Sequence, residues 1–90
     1  MVHEIKLRES FADAVMSGDK NFEVRYNDRG YQKGDYVVFK VTTDNGLATI
    51  DSVLSRWFFE ITYVLSGWGI KENYCVFSFR RATYMEEVKE

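Results

Sequence analysis

The sequence predicts an α+β fold, mostly β: a mixed pseudo-barrel of five to six strands with one early helix. Three observations predict it. Apolar residues alternate with period two in several separate stretches, as half-buried strands require. One stretch near the start, residues 10–17, carries apolar residues at helical spacing. The run Trp57–Leu65 has apolar groups on both of its faces, as a central or barrel strand does.

In chain order, Val2 to Leu7 reads as a strand with His3, Ile5 and Leu7 on one face and Glu4 and Lys6 on the other. His3 thus falls on the apolar side, where a lone histidine is expected as a hydrogen-bonded core or rim residue rather than a catalyst. Ser10 to Ser17 reads as a short helix. Ser10 is placed to cap it, with Asp13 three residues on. Phe11, Ala14 and Val15 form its buried stripe, and Gly18 sits where a left-handed residue would end it.

Phe22 to Tyr26 alternates Phe22, Val24 and Tyr26 against Glu23 and Arg25, so the strand has one apolar and one charged face. Asn27–Gly30 and Lys33–Asp35 are turns by composition. Tyr36 to Thr42 is a strand, and Asp44-Asn45-Gly46 a tight turn. Residues 47–56 are the least readable; Asp51 is a candidate cap for a single turn holding Val53 and Leu54, with a strand extension as the alternative. Along Trp57–Leu65, Phe59, Ile61, Tyr63 and Leu65 share a face. Tyr74 to Arg80 is the last clear strand, with Cys75, Phe77 and Phe79 on one side. Residues 1–83 form one domain, and 84–90 an acidic C-terminal tail.

Composition bounds the function. Ninety residues, 46% hydrophobic and 17% aromatic, make one domain with one modest core. The net charge of −2 argues against a strong non-specific nucleic-acid binder, and the acidic tail carries all of it. No apolar run approaches a membrane span, and Met1-Val2-His3-Glu4 lacks a signal peptide's apolar stretch, so neither is expected. A single cysteine, Cys75, fits a reducing compartment, so the cytoplasm is the expected location. One His and one Cys cannot build a metal cage, and no Gly-rich phosphate loop is present, so neither metal nor cofactor is expected. Cys75, in mid-strand, is expected to be an inert core thiol.

The chemistry-bearing stretch is Gly18 to Asp35. Lys20, Glu23 and Arg25, with Asp28 and Arg29 from the following turn, bring donors and an acceptor together. Arg and Lys can hold a phosphate or a carboxylate; Glu can accept from the amino group of a base. The bland alternative is a solvated strand face with an exposed ion pair.

Gly18, Lys20, Glu23 and Arg25 fit the pattern G-x-K-x-x-E-x-R, which resembles the signature of the ASCH domain of the PUA-like superfamily. The run Phe22–Arg29, the start His3–Lys6, Gly34-Asp35 and Ile61–Leu65 resemble a branch of small bacterial and phage proteins filed as a domain of unknown function. The resemblance implies a PUA-like pseudo-barrel whose groove, between helix and barrel, binds RNA or a nucleotide-like ligand. Some similar proteins are hydrolases that remove an acyl group from a modified cytidine. Their motif has a Thr nucleophile where this chain has Glu23, and a carboxylate cannot replace that hydroxyl without changing the chemistry.

The expected function is therefore an RNA- or nucleotide-binding module. Two alternatives stand beside it. One is a small hydrolase with Lys20 and Glu23 as acid and base. The other is a protein-interaction accessory module presenting Trp57, Phe58, Trp68 and the acidic tail. Trp68, between Gly67 and Gly69, is expected either as a buried lid on the barrel, the commoner fate of Trp, or as a stacking platform at the rim of the cleft.

Overall fold

The alternating stretches pair into one five-stranded sheet. In the computed structural model, which describes residues 1–82, the strands are β1 (Val2–Arg8), β2 (Phe22–Tyr26), β3 (Tyr36–Thr42), β4 (Phe58–Leu65) and β5 (Tyr74–Ala82). A helix, α1 (Glu9–Ser17), follows β1, and a 3₁₀ turn spans Val53–Arg56. The tail expected at 84–90 lies outside the described residues. Strand order is β1-β3-β4-β5-β2, with β1 parallel to β3 and the other pairs antiparallel. The sheet curls into a half-barrel around Ile5, Val37, Phe39, Ile61 and Phe77, all buried. No helix among the described residues is long and apolar enough to cross a membrane.

Local chemistry differs from the expectation at four points. First, α1 begins at Glu9, not Ser10, and no side chain of its own N-cap residue closes it. The cap comes from a distant loop: the Asp44 carboxylate accepts from the Ser10 backbone N–H at 3.0 Å, and Arg8 donates to the Asp44 carbonyl. Second, α1 buries Ala12 and Val15, whereas Phe11 stays half exposed. Third, Ser52 rather than Asp51 caps the 3₁₀ turn, accepting from the Leu54 N–H at 3.2 Å. Leu54 is thereby driven into the core.

The fourth difference is a bulge in β4. Ile61 pairs with Phe79, yet Tyr63 pairs with Ser78, so one extra residue, Thr62, sits in β4. An extra residue flips the alternation beyond it. Phe59 and Ile61 point inward as expected, but Tyr63 turns out to solvent and Val64 packs on the core in its place. The Thr62 hydroxyl bonds the Ser78 hydroxyl at 2.7 Å, which satisfies the displaced side chain.

The two edge strands, β1 and β2, are not paired with each other by the backbone. Guanidinium groups span the gap. Arg25 donates to the Lys6 carbonyl, and Arg29 donates to the Glu4 carbonyl at 2.9 Å. Both carbonyls belong to β1, whose outer edge would otherwise offer unpaired acceptors. The half-barrel is thus closed by side chains along one seam.

At the opposite end of β1, buried His3 shares a 2.8 Å hydrogen bond with Asp35. Asp35 also accepts from the Gln32 N–H, and its carbonyl takes the Ile61 N–H at 2.8 Å. One residue therefore ties β1 and β4 to the start of β3. Cys75 is wholly buried, and burial pushes its thiol pKa up, so it is a core residue.

Two outcomes follow from these contacts. Asp35→Ala leaves a buried imidazole unpartnered, which costs about 1–3 kcal/mol. At roughly 4–8 °C per kcal/mol for a domain of this size, a thermal melt should register the change clearly. Exposed Lys33→Ala serves as the control and should stay within about 0.5 kcal/mol. The seam is tested by hydrogen exchange on the double variant Arg25→Met, Arg29→Met. Amides of β1 and β2 should exchange about tenfold faster while those of β4 hold, as expected of local opening. Uniform protection across the sheet would show that the guanidinium bridges hold nothing.

Candidate functional site

The site is built on β2, and β2 is inverted with respect to ordinary strand chemistry. Its charged residues face the interior, and its apolar residues face solvent. Glu23 is only 6% exposed, whereas Val24 is 54% exposed, and Phe22 and Tyr26 are similarly open. Register explains how this happens. Glu23 stands opposite Phe77 and Arg25 opposite Cys75, both core residues of β5, so the two charged side chains share the core-facing side.

A carboxylate on that side needs compensating charge. Glu23 Oε2 lies 3.1 Å from Lys20 Nζ, and its Oε1 lies 3.6 Å from Arg25 Nε. Lys20 is itself tightly held. Its ammonium donates to the Phe22 carbonyl at 2.8 Å and lies over the rings of both Phe11 and Phe22, about 5 Å from each centroid. The end of α1 puts it there. Gly18 takes a left-handed conformation, φ 86°, that a residue with a Cβ adopts only at a penalty. The chain then reverses, and the Lys20 N–H bonds the Ala14 carbonyl at 2.9 Å.

Glu23 and Arg25 line an open cleft of about 330 Å³ along the seam. Its other walls come from Lys6, Arg8 and Phe11 of β1 and α1, and from Tyr26 and Tyr74 on the opposite side. Tyr26 and Tyr74 meet edge to face at 5.6 Å. Behind Arg25 lies buried Tyr31, which packs between His3 and Phe77. Burial raises the Tyr31 pKa, against the opposing pull of Arg25 and Arg29. Its hydroxyl therefore stays neutral beside the guanidinium groups.

The residues singled out in the sequence are distributed as follows. Glu23 and Arg25 line the cleft. Lys20 touches it only through Glu23 and lines a second hollow under the end of α1, with Trp57 and Arg81. Arg29 serves the seam, and Asp28 lies exposed in the turn after β2. Neither is among the residues lining the cleft. Trp68 departs most from expectation. It is 91% exposed in the β4–β5 loop, so it is no lid, and it does not line the cleft either.

Sequence reasoning missed Lys6, Arg8, Phe11, Tyr26 and Tyr74. Lys6 reads as an ordinary solvated strand position, and only the closing of the seam brings it opposite Arg25. Tyr26 and Tyr74 are cross-strand partners 48 residues apart, and the sequence offers no sign of that pairing. Among the described residues no cluster of three or more His, Cys, Asp or Glu side chains could hold a metal ion.

Comparison with known proteins gives the chain its relatives. A stretch of 37 residues, 41% of this chain, is 40% identical to "Uncharacterized 12.9 kDa protein in GpA 3'region" of Escherichia phage P2. The match covers 34% of that protein, so the chain spans about a third of its relative's length. A family model described as "Domain of unknown function (DUF3850)" matches residues 2–79, nearly the whole of the described sheet. On that match, the chain belongs to the DUF3850 family.

Proposed function

We propose that the seam cleft binds a nucleotide or a short single-stranded RNA. The observation that carries this reading is the inward carboxylate of Glu23. It is held between Lys20 and Arg25, and it lines the cleft with lone pairs to which no described residue but Lys20 donates a hydrogen bond. A charged acceptor so placed suits the exocyclic amino group of a base. Lys6, Arg8 and Arg25 supply positive charge at the mouth for a phosphate, and Tyr26, Tyr74 and Phe11 supply flat apolar walls. The volume lies at the small end of ligand sites, about 300–1,000 Å³, so one nucleotide unit would fill it.

The likeness of Gly18-x-Lys20-x-x-Glu23-x-Arg25 to the ASCH signature supports the same reading. Binding is favoured over hydrolysis because Lys20 and Glu23 are engaged with each other. An acid/base pair must reach the proton it moves, and Lys20 is sequestered behind Glu23 between two phenyl rings.

Titration with mononucleotides and short single-stranded RNAs at low salt tests the proposal. Wild type should bind, with an affinity that falls as salt rises. Lys6→Glu, at an exposed position, should weaken binding about tenfold or more and flatten the salt dependence. Glu23→Gln keeps the shape but removes the charged acceptor, and should change the preference among bases. Trp68→Ala should alter neither affinity nor melting temperature, since it touches neither cleft nor core. A wild type with no affinity for any of these ligands at low salt would overturn the reading.

A further inference from the structure

The apolar side of β2 needs its own explanation. Folding alone would bury Phe22, Val24 and Tyr26 and expose Glu23 and Arg25; this strand does the reverse. The neighbouring strands extend the exposed side rather than interrupt it. Across β2, β5 and β4 the outward residues align in rows: Tyr26 with Tyr74, Val24 with Val76 and Leu65, Phe22 with Ser78 and Tyr63. The β4 bulge contributes directly, because it is what turns Tyr63 outward, leaving it 62% exposed.

This face has the composition of an interface core: aromatic and aliphatic, with no charged residue in any of the three rows. Its charges stand at the ends. Arg80 and Glu60 pair with each other at 2.8 Å at one end, and Lys71 lies over the Tyr74 ring at the other, beside Glu72. With three half-open aromatic rings, Phe22, Tyr26 and Tyr63, and Tyr74 partly covered, the face offers roughly 500 Å² of apolar surface, the upper range for a monomer's largest patch.

We infer that this face is the contact between two copies of the chain, packed sheet on sheet about a two-fold axis. The charge distribution selects the occupant. A nucleic acid needs cations along its path; among the described residues the cations beside the rows stand at their ends, with Arg80 bonded to Glu60, Lys20 bonded to Glu23, and Lys71 over the Tyr74 ring. A strongly acidic or basic partner would find no opposite charge in the rows. A second copy presents the same uncharged centre, and both signs of charge at each end, so a two-fold brings no block of like charges together. The area is below the ~800 Å² per partner of a standard interface, so the dimer forms reversibly with concentration.

Sedimentation velocity across a concentration series tests this. Wild type should shift from monomer to dimer as concentration rises. Tyr63→Lys lies outside the seam cleft and should raise the dimer dissociation constant at least about tenfold, with the melting temperature of the monomer unchanged. Val24→Lys, on β2 two strands away and at the border of the cleft, should raise the dimer dissociation constant alike, and keeps the test valid if the first variant folds poorly. A wild type that stays monomeric at millimolar concentration overturns the inference. So does a dimer that persists unchanged in both folded variants.

Discussion

The placement of Glu23 constrains most of this molecule. A carboxylate on the core side of a strand, opposite Phe77, is tolerated only if cations and donors surround it. Lys20 and Arg25 meet that demand, and each drags further structure with it. Lys20 can reach Glu23 only because α1 stops at Gly18 and the chain folds back on Ala14. Arg25 spans from Glu23 to the Lys6 carbonyl, so the same guanidinium both balances the carboxylate and holds β1. The spacing of Gly18, Lys20, Glu23 and Arg25 is therefore mechanical. Each residue is required by the geometry of the others before any ligand is considered.

The seam follows from strand number. Five strands curl but do not close, which leaves β1 and β2 as edges. Backbone pairing between them would have sealed the half-barrel and filled the cleft. Side chains longer than a hydrogen bond hold the edges apart instead. The gap they maintain is where Lys6, Arg8 and the two tyrosines converge. An opening of this kind is protected from joining a foreign strand because charged side chains cross it.

Most of the fold was legible in the sequence, because strand periodicity reports directly on burial. β3 has the expected bounds, and β1, β4 and β5 differ by one or two residues at an end. Gly18 ends the helix as its backbone freedom suggests. What escaped was tertiary in origin. Asp44 caps α1 from 34 residues away in place of Ser10, since a loop carboxylate reached the orphan N–H groups first. Thr62 reads as one more alternating residue, and nothing local marks it as the bulge. Trp68 looks like a lid by residue type, but the β4–β5 loop holds it in solvent, outside the core cluster. In the site, the contact of Glu23 with Lys20 and Arg25 was readable from spacing. Its burial was not, because period two fixes which residues share a face and never which face turns inward.

That ambiguity gives β2 its importance. Five residues carry two unlike sides: Glu23 and Arg25 face inward, and Phe22, Val24 and Tyr26 face outward, with Val24 and Tyr26 also bordering the cleft. A slip of one residue against β5 would exchange them, burying three apolar side chains and freeing both charges. By hydrophobicity alone the slipped strand is the better one. The observed register must therefore be held by its ends. Just before the strand, the Asn21 carbonyl accepts from the Phe79 N–H at 3.0 Å, and just after it the Asn27 N–H donates to the Asn73 carbonyl at 2.8 Å. Between these clamps the Lys20–Glu23–Arg25 cluster is local to the strand, and Arg25 joins it to β1 through the Lys6 carbonyl. A strand kept in its less hydrophobic setting by its end clamps and by the Arg25 bond to β1 exchanges the burial of three apolar side chains for a charged inner side, so its register answers to the seam and not to hydrophobicity.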